Sequence, residues 1–283
     1  MTGPGRQQGA PQPSIDRMRR FEIRPKRKLG QNFLVDNNIL DLIADRAELG
    51  QSDVVLEVGG GLGVLSEHLS SLVGQVEVVE VDRGLEGALL DAVGDAENVS
   101  LVFADALDLD FAEFEPKPNK LVANLPYNVA ATCVIKAFQE LPELELCCVM
   151  AQREVCERLT AKPGGKLYAA TSVLVQAVAG RTDTRKLSRN IFQPVPNVDS
   201  SLVTLRRTRE NPPSGFVELV HDAFAHRRKP LASSLAHARR SDKTIRERAQ
   251  DALEKLGLTT DIRAERLSAE QFLALNELIE GRA

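Results

Sequence analysis

An α/β fold built on a mostly parallel sheet, with a small all-helical domain after it, is what this sequence predicts. Three observations carry that expectation. Short apolar runs alternate with helically spaced segments through most of the chain, the signature of βαβ units. A glycine cluster separates one such run from the next helix. Past the Pro-rich break Asn211-Pro-Pro-Ser-Gly215 only helical patterns remain.

The elements follow in order. Residues 1–25 begin Gly/Pro/Gln-rich and turn basic, and are expected to be a disordered extension. Residues 26–208 form the α/β domain and 209–283 the helical one. Ile39, Leu42, Ile43 and Ala47 have helical spacing, with Asp36 as N-cap. Strands are expected at 54–58, 75–82, 99–105, 120–124, 144–151, 171–176 and 200–207. A helix runs from Thr132 to Leu141, stopped by Pro142. Ser268 and Gln271 form a capping box for the last helix, which carries Phe272, Leu275, Leu278 and Ile279.

Composition excludes several classes. No run approaches the roughly 18 apolar residues of a membrane span, and no apolar leader opens the chain, so a cytoplasmic protein is expected. Cys133, Cys147, Cys148 and Cys156 lack metal-ligand spacing and read as buried thiols in a reducing compartment, with no metal site. The net charge of −4 hides an asymmetry: +6 over residues 1–30, −15 over 31–180 and +5 over 181–283. An acidic middle between basic ends suits an anionic partner gripped by those ends.

Glu57-x-Gly59-Gly60-Gly61-x-Gly63 lies between a strand and a helix, where glycine lets the backbone turn sharply and approach a ligand. Glu80 ends the next strand and can accept hydrogen bonds from two ribose hydroxyls. Asp105 ends the third and can accept from an adenine amine. The E-x-G-x-G-x-G spacing, unlike G-x-G-x-x-G, is not that of a loop seating a pyrophosphate. It favours S-adenosylmethionine, which has no phosphate.

Asn124-Leu125-Pro126-Tyr127 follows the fourth strand directly. An exocyclic adenine amine is a poor nucleophile because its lone pair is delocalised into the ring. Acceptors on its N–H bonds, the Asn124 side-chain oxygen and the Leu125 carbonyl, would draw the nitrogen toward tetrahedral geometry. Pro126 restricts Leu125 to an extended conformation and so aims that carbonyl. Tyr127 offers a face for the target base, and Phe192 is the candidate for the second face of a sandwich. Arg227, Arg228 and Lys229 are candidates for phosphate contacts.

With these motifs the chain resembles the ribosomal RNA small-subunit adenine dimethyltransferases. The likeness runs from about Lys26 to the C-terminal helices, through Leu29-Gly-Gln-Asn-Phe-Leu34, Glu57 to Gly63, Glu80, Asp105, Asn124 to Asn128, and Gln152-Arg-Glu-Val155. It continues through Pro163 to Tyr168, Phe192 to Ser200 and Ala223 to Lys229. The resemblance implies a Rossmann-like class I methyltransferase domain. It also implies dimethylation of two adjacent adenosines in a hairpin loop near the 3′ end of small-subunit RNA, late in ribosome assembly, on a pre-assembled small subunit. It places Asn32 and Leu34 beside Gly59, Gly61, Glu80, Asp105 and Asn124 in the cofactor site, and implies a monomer. Gly60 departs from the family's usual Pro, and Ala130-Ala131-Thr132 from a more common Ser-Thr pair. The near alternative is a large-subunit RNA adenine methyltransferase of the macrolide-resistance type; Leu125 and Asp199 favour the small-subunit branch. A catalytically silent RNA-binding assembly or transcription factor is the alternative of a different class.

Overall fold

The computed structural model describes residues 12–126 and 129–281. In chain order its elements are α1 (Pro13–Arg20), β1 (Phe33–Leu34), α2 (Asn38–Ala47), β2 (Val54–Val58), α3 (Val64–Ser70), β3 (Gln75–Glu80), α4 (Glu86–Val93), β4 (Val99–Phe103), β5 (Lys120–Asn124), α5 (Ala130–Glu140), β6 (Leu146–Gln152), α6 (Arg153–Leu159), α7 (Ala170–Gln176), β7 (Ala179–Leu187), β8 (Phe192–Gln193) and β9 (Ser200–Arg207). Helices α8 (Phe216–Ala225), α9 (Leu231–Ala238), α10 (Ile245–Lys255) and α11 (Ala269–Ile279) complete the described chain.

Seven strands form one sheet in the order β4-β3-β2-β5-β6-β9-β7. The first five are parallel, while β9 runs antiparallel to both β6 and β7. Strand order reverses between β2 and β5. The chain first builds outward through β3 and β4, then returns to lay β5 on the other side of β2. The loops leaving β2 and β5 therefore diverge and open a crevice at their carboxyl ends.

Alternation along the strands divides the core. Leu56 and Val58 of β2 enter one apolar layer with Phe138 of α5, and Val55 enters the opposite layer with Ile43 of α2 and Leu69 of α3. A strand buried on both faces needs apolar residues at successive positions, which is why β2 reads Val-Val-Leu before the buried Glu57 interrupts it. A third cluster belongs to the C-terminal helices, with Phe216, Leu253 and Phe272 among its members. It also takes in Tyr168, Val173 and Leu174, so the helical domain is seated on the segment preceding β7.

That segment corrects one expectation. Residues 171–176 form the helix α7, not a strand. Thr-Ser-Val-Leu-Val looks strand-forming by side-chain type, but a continuously buried run has no period to distinguish the two states. Here Val175 packs into the sheet's core and Val173 into the helical domain's. The Ala169 N–H donates to the Ser172 hydroxyl at 3.0 Å, and the Gln176 amide donates to the carbonyls of Leu159 and Ala161. The edge strand lies further on, at β7.

The N-terminal expectation also needs correction. Residues 13–20 are not disordered: they form α1, with Ser14 and Arg17 buried. Residues 1–11 lie outside the described chain. The N-cap of α2 is Asn37, one residue after the expected Asp36, whose carboxylate accepts from the Asn38 N–H at 3.0 Å. The capping box of Ser268 and Gln271 is present at α11. All four cysteines are free and buried, and burial pushes the Cys133, Cys148 and Cys156 thiols up to about 12, so none is a thiolate nucleophile at neutral pH. No helix among the described residues is long and apolar enough to cross a membrane.

Candidate active site

The crevice at the strand-order reversal is a cleft bounded by the glycine loop, the ends of β3, β4 and β5, and the 29–34 segment. Gly61 sits at φ 59°, a left-handed conformation that disfavours side chains, and a Cβ there would stand 3.4 Å from the Phe33 ring. Gly60 is required for a different reason. A Cβ would meet Val78 Cγ1 at 2.5 Å and a Leu89 methyl at 3.0 Å. The space under the loop is taken by those two side chains, which accounts for glycine at the position where the chain departs from the family's Pro.

Glu80 anchors this loop. Its carboxylate accepts from the Gly61 N–H at 2.9 Å and from the Asp82 N–H at 2.8 Å. A carboxylate has about four acceptor sites, so acceptor capacity remains for a ligand hydroxyl. Burial pushes the Glu80 carboxyl up, opposed by the backbone N–H groups of Asp82, Gly61 and Val81, while the Asp82 charge adds to the rise. Glu57 lies deeper, and its Oε2 has no hydrogen-bond partner. Burial pushes the Glu57 carboxyl up to about 8; the Ser66 hydroxyl opposes the shift and the Glu80 charge adds to it. Asp105 is exposed at the far end of the cleft, one oxygen accepting from the Leu107 N–H at 2.9 Å. Val81, an apolar side chain left 48% exposed beside Glu80, offers a flat ring a surface to lie on.

Asn124 ends β5, in register with Met150 of β6. Its Nδ2 donates to the Asn32 carbonyl at 3.1 Å. A carbonyl can only accept, so the amide orientation is set by chemistry, and the Asn124 Oδ1 is left to face the cleft. Leu125 is fixed through its N–H to the Met150 carbonyl at 2.9 Å. Among the described residues its own carbonyl accepts no hydrogen bond. The Pro126 carbonyl is engaged in the start of α5, accepting from Val129 and Ala130. Leu34 lines the cleft from β1.

The structure thus gathers Asn32, Leu34, Gly59, Gly61, Glu80, Asp105, Asn124, Leu125 and Pro126 around one cleft. Tyr127 lies outside the described residues. Phe192 does not line the cleft. Pairing of β8 with β1 sets it opposite Leu34 and turns its ring into the core at 2% exposure, so in this conformation it offers no free face to a base. The basic corner is divided too. Arg227 is committed within the fold: it pairs with Glu265 at 2.7 Å and donates to the Lys166 and Tyr168 carbonyls. Arg228 and Lys229 are exposed, with no ion pair among the described residues. Ser14 of α1 also lines the cleft. The sequence reading passed over it, although Ser14, Arg17 and Met18 have the spacing of one helix face.

Glu57, Glu80 and Asp105 line this cleft, and among the described residues no lysine or arginine does. A pyrophosphate would stand here against carboxylates with no cation to offset it. A ligand with an adenosine end and a positively charged end meets complementary groups: the Glu80 and Asp105 carboxyl groups and a glycine loop without side chains.

The fold is that of the Rossmann-like class I methyltransferases. It matches a crystal structure of a dimethyladenosine transferase from Plasmodium falciparum with a TM-score of 0.73 at 24% identity, covering 86% of this chain and 95% of that one. A 23S rRNA methyltransferase, ErmE, matches with a TM-score of 0.65 at 28% identity, over 88% and 100% of the two chains. The chain belongs to the ribosomal RNA adenine dimethylase family, whose pattern spans residues 23–280. Among curated relatives, a ribosomal RNA small subunit methyltransferase A from Rubrobacter xylanophilus is 43% identical over 89% of this chain and 94% of its own. Its namesake from Thermobifida fusca is 40% identical over 90% of each.

Proposed function

We propose that this enzyme uses S-adenosylmethionine to dimethylate the exocyclic amines of two adjacent adenosines in small-subunit ribosomal RNA, within a pre-assembled subunit. The observation that carries the cofactor assignment is the cleft lined by acidic residues and, among the described residues, by no basic side chain. When bound, the cofactor supplies an activated methyl group on a sulfonium. Glu80 holds the ribose, Asp105 the adenine amine, and the Asn32–Leu34 segment the methionine end. Asn124 Oδ1 and the Leu125 carbonyl accept the N–H bonds of the target amine and aim its lone pair across the cleft, so positioning supplies much of the rate. The amine loses its proton after transfer, so no strong base is required beforehand.

The small-subunit target rests on relatives at 40% and 43% identity that carry that name, against 28% for the 23S enzyme. Basic residues stand where an RNA would approach. Arg24, Arg27 and Lys28 are exposed and lead directly into the cleft-lining segment at Leu29. Arg228 and Lys229 provide further phosphate contacts from the C-terminal domain, while Arg227 holds that corner in shape.

Incubating the enzyme with labelled S-adenosylmethionine and under-methylated small subunits should place label on two adjacent adenosines near the RNA's 3′ end. Label confined to large-subunit RNA would overturn the target. The cofactor assignment has its own test. Glu80→Ala is expected to weaken S-adenosylhomocysteine binding about 100-fold, roughly 3 kcal/mol for losing charged acceptors of two hydroxyls. An unchanged dissociation constant by calorimetry would remove the ribose role.

A further inference from the structure

Helix α1 is made of residues that should not fold against a protein on their own. It has eight residues, four of them charged, and an isolated helix of that length is not stable in water. It nevertheless lies closed over one side of the cleft. The Ser14 hydroxyl donates to the Leu34 carbonyl, and Ser14 itself lines the cleft. Met18, with Ile23 just beyond the helix, packs on the small cluster of Phe33, Leu62, Leu85 and Ala88. Phe33, Leu62 and Leu85 also line the cleft.

Arg17 holds the arrangement. Its side chain is only 8% exposed, and its guanidinium reaches three separate elements. Nη2 pairs with Glu67 of α3 at 2.7 Å, and Nε with Asp91 of α4 at 3.2 Å. Nη1 donates to the carbonyl of Leu62, in the glycine loop itself, at 3.3 Å. Arg20 adds a second, exposed pair to Asp91. A planar fork of donors can bridge three acceptors in this way; a lysine cannot reproduce it. One terminal helix thereby ties together the glycine loop, the two helices behind it and the 32–34 segment whose Asn32 carbonyl orients Asn124.

We propose that α1 is a strap over the cofactor cleft and that Arg17 is its positioning residue. The docked strap holds the glycine loop and the 32–34 segment in their ligand-binding arrangement, and the cofactor leaves when the strap lifts. This rests on the reading of the cleft as the S-adenosylmethionine site. Arg17 touches no cofactor atom; it acts through Leu62 and α3. Because docking and binding share the same elements, each must strengthen the other by the same factor. The strap is built to lift. Its attachment is largely ionic, Glu67 is half exposed, and little apolar area is lost when it leaves.

Arg17→Ala tests it. Glu67 can be solvated when its partner is removed, so the variant should fold, and Glu67→Gln weakens the same clamp from the other side. Both are expected to release S-adenosylhomocysteine faster in stopped-flow displacement, with affinity reduced about tenfold for Arg17→Ala, within the usual range of coupling. Arg17→Lys should restore only part of the loss. The reciprocal effect is read by limited trypsin digestion. In the wild type, S-adenosylhomocysteine should protect the bonds after Arg19 and Arg20, and in Arg17→Ala that protection should disappear. A merely stabilising helix would lower the melting temperature without changing ligand release or ligand-dependent protection, and that outcome overturns the proposal. So does equal release from wild type and both variants. Failure of the wild type itself to bind S-adenosylhomocysteine would instead overturn the cofactor reading.

Discussion

Asn124→Ala is expected to lower methyl transfer about 10²- to 10³-fold, the usual cost of removing one preorganised hydrogen-bonding group from a reacting centre, while RNA binding stays nearly unchanged. The argument begins at the β5–β6 pairing, which fixes Asn124 at the end of its strand. The Asn32 carbonyl then takes the amide's N–H, at 3.1 Å, and leaves the oxygen for the substrate. Alanine removes the acceptor without disturbing the strand. Asn124→Asp should fail nearly as badly for a different reason. It supplies an acceptor, but it turns a carboxylate oxygen against the Asn32 carbonyl and loses the bond that set the orientation. Single-turnover methylation with labelled cofactor, set beside filter binding of the same RNA, separates the two effects. Near-normal transfer by Asn124→Ala would sink the amine-activation mechanism.

The contrast between Asn124 and Arg227 shows which features were legible before the fold was known. Asn124 lies in a motif of fixed local geometry: a strand end, an extended residue and a proline. Such geometry is written in neighbouring residues, so its place at the cleft could be read from the sequence. The glycine loop and Glu80 are similar, since both sit at the ends of strands that their apolar runs reveal. Arg227 depends on Glu265 and on carbonyls at 166 and 168, residues far away in the chain. No local pattern says that this arginine is engaged while its two successors have no ion pair among the described residues. Phe192 misled for the same reason, because its burial follows from the pairing of two-residue strands, β1 and β8, too short to leave a period. Helix α1 was hidden by composition. Its buried face consists of a serine and an arginine, polar residues that become interior only because Leu34, Glu67 and Asp91 meet them. Helix α7 was hidden by the opposite condition, having no exposed side to mark a period. The sequence therefore shows where strands end and loops begin, and it conceals the partners that distant segments supply.

Glu57→Gln is expected to change how stability depends on pH, by several kcal/mol in the unliganded enzyme. Glu57 is fully buried, and burial raises its carboxyl from 4.5 to about 8. A raised carboxyl favours folding while it is protonated. Its contribution is fully present below about pH 4.5, where the unfolded chain is protonated as well. As pH rises, the unfolded chain releases the proton and the folded protein keeps it, which costs at most about 1.4 kcal/mol of stability per pH unit. The contribution is lost by about pH 8, where the buried group ionises beside Glu80. Glutamine has nearly the same shape and no proton to lose, so the variant should lack this slope. Carboxylates held low by partners, such as Asp53 and Asp82, work in the other direction, adding stability above their ordinary value of 3.8 and losing it as pH falls. Their effect lies below the window and is common to both proteins. Urea unfolding at steps from pH 5 to 9 should therefore show the wild type losing ground to Glu57→Gln throughout the lower part of that range and running parallel to it above pH 8. Curves parallel across the whole range would mean that Glu57 is already ionised at pH 5 and that the cleft floor is far better solvated than its burial implies. Parting of the curves would establish that Glu57 is neutral near pH 7. Glu80 and Asp105 would then carry the charge that selects a cationic ligand, with Glu57 serving as the neutral wall behind them.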